Sequence, residues 1–121
     1  MKTKLTLLLA LIIICSSCSS LIHYDRVPWT KTDKALAGVS ILAATADVYT
    51  THHFLKNPNN YELNPIIGKH PTDLELIGST ILSQALFFYL ADRFPKLRKW
   101  FLGVKTLANG GAAIHNSTLE R

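Results

Sequence analysis

Asp47 interrupts an alanine-rich apolar stretch, and with Ala43 and Thr51 it falls at positions i, i+4 and i+8, so the three share one face of a helix. A carboxylate on such a face must be paired, hydrated or protonated. It serves either as a proton-handling or ligand group, or as a structural charge pairing with a lysine such as Lys105 or with a loop amide. Glu62 and Asn64, alternating ahead of Pro65, have side chains suited to bonding the ends of neighbouring helices. Asp47, Thr51, Glu62 and Asn64 are therefore the candidate polar cluster, with a buried link between the first helix and the following loop as its plainest form. His52 and His53, with His70 and His115 elsewhere, are the only hint of metal ligation. Adjacent histidines point about 100° apart on a helix and lack the i, i+4 spacing of a helical zinc pair, so no metal site is expected. Ser79, Thr80 and Ser83 sit in an apolar run with no histidine nearby in sequence, and Gly110-Gly111 lacks the lysine and hydroxyl of a phosphate loop. No catalytic residue and no cofactor is expected, and a non-enzymatic role follows.

The elements that must position these residues are helical. Thr30-Lys31-Thr32-Asp33 carries a capping-box spacing, and the chain from Lys31 to Lys56 is free of proline until Asn57-Pro58. Residues 57 to 71 hold three prolines, four asparagines and one glycine, which is turn chemistry, and Gly68 permits a backbone closed to other side chains. Thr72 and Glu75 repeat the capping box, which predicts a second helix to about Asp92. Pro95 breaks it. A third helix is expected from near Lys96 to around Ile114, weakened late by Gly110-Gly111 at about 1 kcal/mol per glycine. No heptad or internal repeat is visible. The expected fold is all-α, a three-helix bundle over residues 29–116 with a tail at 117–121.

Ahead of the bundle, Lys2 and Lys4 precede the apolar block Leu7 to Ile14, and small residues close on Cys18. An apolar block this short is a secretory signal rather than a stable span. Its end resembles the lipobox of bacterial lipoproteins, although Cys15 stands where that pattern prefers leucine. The resemblance implies a signal peptide at residues 1–17, a diacylglyceryl group on Cys18 with fatty-acid acylation, and a tether at residues 18–28. Ser19 after the cysteine resembles proteins sorted to the outer membrane. Removal of Lys2 and Lys4 lowers the formal charge of +5 by two, too mild an excess to argue for nucleic acid. No thiol would be left for a disulfide, so stability must come from packing or from the membrane.

The body resembles short bacterial and phage-associated membrane or lipoprotein sequences of unknown function. Trp29 and Asp33-Lys34, Asp47 with Thr51, and Glu62-x-Asn64-Pro65 with Gly68 and Pro71 carry the resemblance, with a weaker continuation from Arg98 to Asn116. Lys105 stands where an acidic residue is expected in such relatives. The resemblance implies architecture and no activity.

The uncharged run Leu76 to Ala91 falls short of the ~20 residues of a typical span. If all three helices crossed a membrane from a lipidated Cys18, the basic segment Arg93 to Lys99 would lie outside, against the positive-inside tendency. A spanning second helix alone would obey that tendency but oppose sorting to the outer membrane. The expectation is a lipid-anchored helical protein of the cell or outer membrane, facing the periplasm or partly embedded, acting on membrane or an envelope protein partner. Two alternatives stand beside it: a linker between inner and outer membranes, similar to phage single-chain spanins, and a small envelope enzyme using Asp47 and Glu62.

Overall fold

Thr30 sits in extended backbone, and its hydroxyl accepts from Asp33 N–H at 3.1 Å while Asp33 Oδ2 accepts from Thr30 N–H at 2.9 Å. This reciprocal cap opens α1, Lys31–Phe54. A computed structural model of the chain describes residues 26–119. Cys18, the expected signal peptide, the tether up to residue 25 and the end of the tail lie outside the described residues. α1 closes where Asn60 Nδ2 donates to Phe54 O at 2.8 Å, satisfying a terminal carbonyl before Asn57-Pro58 turn the chain.

The loop that follows is held by its own polar groups. Glu62 N–H donates to Lys69 O at 2.8 Å across its base, Gly68 takes a φ of 86°, and its N–H reaches Asn64 O at 3.3 Å. Thr72 then caps α2, Asp73–Arg93, through Glu75, reproducing the first capping box. Phe94 ends α2, and Pro95 opens a single 3-10 turn, Pro95–Leu97, that leads directly into α3, Arg98–Leu119. The all-α, three-helix expectation holds.

α3 runs past the Ile114 limit and through Gly110-Gly111, and residues 117–119 of the expected tail are helical. Two features hold this last turn. Asn116 Nδ2 donates to Thr51 Oγ1 on α1 at 2.8 Å, and Ser117 Oγ donates to Ala113 O at 2.8 Å. A tertiary bond thus outweighs the low helix propensity of the glycine pair.

The register of the bundle follows from two side-chain bonds. Arg98 meets Asp33 and Asn116 meets Thr51, each pair 65 residues apart in sequence. A constant offset from Asp33 to Thr51, about 27 Å of axis, makes α1 and α3 a parallel, in-register pair. Their buried positions, Asp33, Ser40, Ala44 and Thr51 against Arg98, Leu102, Lys105, Asn109 and Ala113, step by three, four or seven residues. That is a coiled-coil seam. No heptad is visible in the sequence because six of these nine seam positions are polar and leave no hydrophobic stripe. α2 runs antiparallel to the pair and packs on it more thinly, burying fully only Leu76 and Ala91.

Polarity in this bundle is inverted. Asp33, Ser40, Thr51, Arg98, Lys105 and Asn109 are buried, while Leu42, Leu74, Leu107 and Ile114 are each about 70% exposed or more. Soluble domains almost never bury charge while presenting long apolar faces. Among the described residues α2 is the one helix long and apolar enough, by length and composition, to cross a membrane.

Candidate functional site

Because α2 lies thinly on the α1–α3 pair, a cavity of about 850 Å³ opens between them beneath the loop. Asp47, Thr51, Glu62 and Asn64 all line it, so the fold brings the four candidate residues to one space. They do not form one bonded cluster. Asp47 Oδ1 accepts from Thr51 Oγ1 at 3.3 Å, and Thr51 in turn accepts from Asn116. Glu62 Oε1 accepts from Asn64 N–H at 2.9 Å, and Asn64 Oδ1 from Ile66 N–H at 3.0 Å. The first pair joins α1 to α3; the second shapes the loop locally, as side-chain turns do. Among the described residues no hydrogen bond joins the two pairs, so the expected bonded link from the first helix to the loop is replaced by a link from α1 to α3.

Lys105 is buried on the α3 seam and makes no direct ion pair with Asp47, although the two opposite charges act on each other through space. Its Nζ donates to Ser83 Oγ at 2.8 Å and to Asn109 Oδ1 at 3.3 Å, and lies 5.6 Å from the centroid of the Phe87 ring. No carboxylate stands within 4.0 Å of it among the described residues. Ser83 therefore has a basic partner after all, supplied by α3 rather than by a histidine, while Ser79 and Thr80 bond back to Leu76 O. Asn109 is buried beside Lys105, and its Nδ2 has no partner among the described residues.

A second polar centre closes the opposite end of the bundle. Arg98 Nε donates to Ala91 O at 3.0 Å, Nη2 to Val27 O at 2.9 Å, and Nη1 to Pro28 O and Asp33 Oδ2 at 3.2 Å each. Its guanidinium lies 4.9 Å from the Trp29 ring centroid, and Trp29 Nε1 donates to Asp92 at 2.9 Å. One side chain thus ties α1, α2, α3 and the entering segment together. Sequence reasoning placed Arg98 only within the basic segment Arg93 to Lys99; its burial depends on partners 65 to 71 residues away in sequence. The signal open to a closer reading was the seven-residue spacing of Asp33, Ser40 and Asp47, echoed by Arg98 and Lys105.

The histidines do not converge. His52 Nδ1 lies 2.8 Å from Asp73 Oδ1 and ties the end of α1 to the start of α2, while His53 stacks on Tyr49 with ring centroids 4.6 Å apart. Among the described residues no group of three His, Cys, Asp or Glu side chains forms a metal-binding set. No family model, no curated protein and no solved structure matches this chain.

Proposed function

We propose that the chain is a lipid-anchored helical protein of the bacterial cell envelope whose bundle is embedded in the bilayer and acts without catalysis, through lipid or a membrane-protein partner. The inverted polarity carries this reading: a solvent of hydrocarbon rewards outward leucines and inward charges, and water penalises both. At about 1.5 Å per residue, the 21 residues of α2 measure near the ~30 Å hydrocarbon thickness. α1 and α3 carry Asp47 and Lys105 within their length, yet both line the bundle's interior, as intramembrane ionisable groups do. A diacylglyceryl group on Cys18 sits at most about 30 Å of chain from Val27. That holds the anchor on the same membrane face as the basic end formed by Lys31, Lys34, Lys96 and Lys99, the outer face, so the embedded bundle stands against the positive-inside tendency and rests on its inverted polarity instead. The resemblance to short bacterial and phage envelope proteins points the same way.

The linker reading needs α2 to cross a membrane away from its partners. Trp29 to Asp92, Gln84 to Ser40 and Lys105 to Ser83 all oppose that separation.

Reporter cysteines at Lys69 and Lys99, in a Cys15→Ser background, test the reading in cells permeabilised only in the outer membrane. Labelling at Lys99 alone supports an embedded bundle anchored at its basic end. Labelling at both sites places the bundle on the surface and overturns embedding; labelling at Lys69 alone means that α2 crosses the membrane by itself, which overturns the embedded three-helix bundle and favours the linker reading. Loss of fatty-acid incorporation in Cys18→Ser checks the anchor directly.

A further inference from the structure

Lys105 and Asn109 line the inner wall of the cavity, and each has a hydrogen-bond donor that the fold underuses. Lys105 Nζ meets only two neutral acceptors, Ser83 Oγ and Asn109 Oδ1, although an ammonium offers three donors. Asn109 is 7% exposed, and its Nδ2 is buried and unpaired among the described residues. Lys105 fixes the orientation of that amide, since a flipped amide would set N–H against the ammonium. An unpaired donor inside a protein is costly and is retained where something else fills it.

The facing wall has the opposite character. Leu82, Leu86 and Tyr89 of α2 line the cavity and are each 40–47% exposed, so the space opens on an apolar helix face. Its volume of about 850 Å³ falls within the range of sites that hold one small organic molecule. Asp47 and Glu62 line the same space as the single lysine. The lining thus holds two carboxyl groups against one lysine, with His115 beside them, so an anionic head meets acidic side chains where dielectric screening is weak. An uncharged acceptor brings no such repulsion.

We infer that this cavity holds one single-chain, uncharged acyl compound. Its ester or amide carbonyl oxygen accepts from Lys105 Nζ, and from Asn109 Nδ2 once that side chain turns from its buried position toward the cavity, and its hydrocarbon lies along Leu82, Leu86 and Tyr89. The inference deepens the membrane reading and rests on it for access, because such a compound dissolves in the bilayer and enters beside α2.

The test is photocrosslinking of the full-length protein with the methyl ester of a diazirine-bearing palmitate, in phosphatidylcholine nanodiscs and separately in detergent micelles. Crosslinks are expected to concentrate in residues 79–89 and 105–116. Asn109→Leu and Lys105→Met are each expected to lower them at least five-fold, and the free-acid probe at pH 8 to label at least five-fold less than the ester. Leu86→Trp fills the cavity from an exposed position and is expected to block labelling with helicity unchanged, which keeps the test decisive if a seam variant loses its fold. Labelling spread evenly over the outward faces around Ile81, Trp100 and Leu107 would overturn the inference, as would a free acid that labels as strongly as its ester. Focused labelling in micelles from a protein that fails to enter bilayers would sink the membrane reading while leaving the cavity's chemistry standing.

Discussion

Arg98 and Lys105 are two cations on one face of one helix, 2% and 7% exposed, and the bundle treats them in opposite ways. Arg98 donates to three backbone carbonyls and to a carboxylate, with an indole ring beneath it. Lys105 has a serine hydroxyl and an amide oxygen, and the amide beside it is left with an unpaired donor. Equal burial with unequal satisfaction separates a structural clasp from a site kept open for something else. In the clasp each donor has a fixed acceptor, and the fold depends on the residue. In the cavity the protein bears a cost of desolvation that neutral hydrogen-bond partners and the more distant charge of Asp47 offset only in part, and such conflicts between local physics and global fold mark functional positions.

The largest expected effect is at the clasp. Arg98→Met strands the buried Asp33 carboxylate and the buried Ala91 carbonyl, and stability should fall by about 3–5 kcal/mol, the cost of removing one partner from a buried charged pair. Denaturant unfolding in detergent, followed by circular dichroism, reads this directly. Arg98→Lys should recover less than half of the loss, because one ammonium cannot match the spread of a guanidinium fork. A loss below about 1 kcal/mol for Arg98→Met would break the comparison by showing that the clasp is no firmer than a surface pair.

How this division could be read from the sequence differs between the two centres. Both capping boxes, at Thr30 with Asp33 and at Thr72 with Glu75, were legible because each lies within one turn, as was the break at Pro95. The candidate residues Asp47, Thr51, Glu62 and Asn64 line one cavity without forming one bonded cluster, since side-chain types in a short stretch limit what they can reach but not which partner they meet. The partners of Arg98, Lys105 and Asn116 were not legible. They depend on the parallel register of α1 and α3, and register follows from which residues face the seam rather than from any local pattern. Polar seam residues also cancel the periodic hydrophobic signal on which such a register is normally read.

Thr51 stands between the two regimes. It accepts from Asn116, donates toward Asp47, and is 3% exposed, so it belongs to the cavity by position and to the scaffold by bonding. Thr51→Val keeps the shape and removes both bonds, and the expected loss is about 1–2 kcal/mol with the amide of Asn116 left unpaired. A double-mutant cycle with Asn116→Leu should recover most of it, since both ends of the bond are then apolar. If the cycle shows no coupling, the last turn of α3 is held by something other than this bond, and the length of α3 needs a different explanation.

The smallest expected effect is the most discriminating. Lys105→Met replaces a buried cation, whose protein partners are neutral, by an apolar chain of similar length. Replacing poorly compensated buried charge with well-packed apolar groups is often neutral or stabilising. The expected change is within about 1 kcal/mol of zero by the same unfolding measurement. Glu62→Gln should likewise fall within ±0.5 kcal/mol, because that side chain bonds a loop amide and no helix. A loss at Lys105 approaching that at Arg98 would mean that Ser83 and Asn109 form a second clasp, and the cavity would be a gap in packing rather than a place for a ligand. A neutral result, together with loss of acyl-ester crosslinking in the same variant, assigns Lys105 to recognition: a charge the fold does not need for its own stability, held where an acceptor oxygen can reach it.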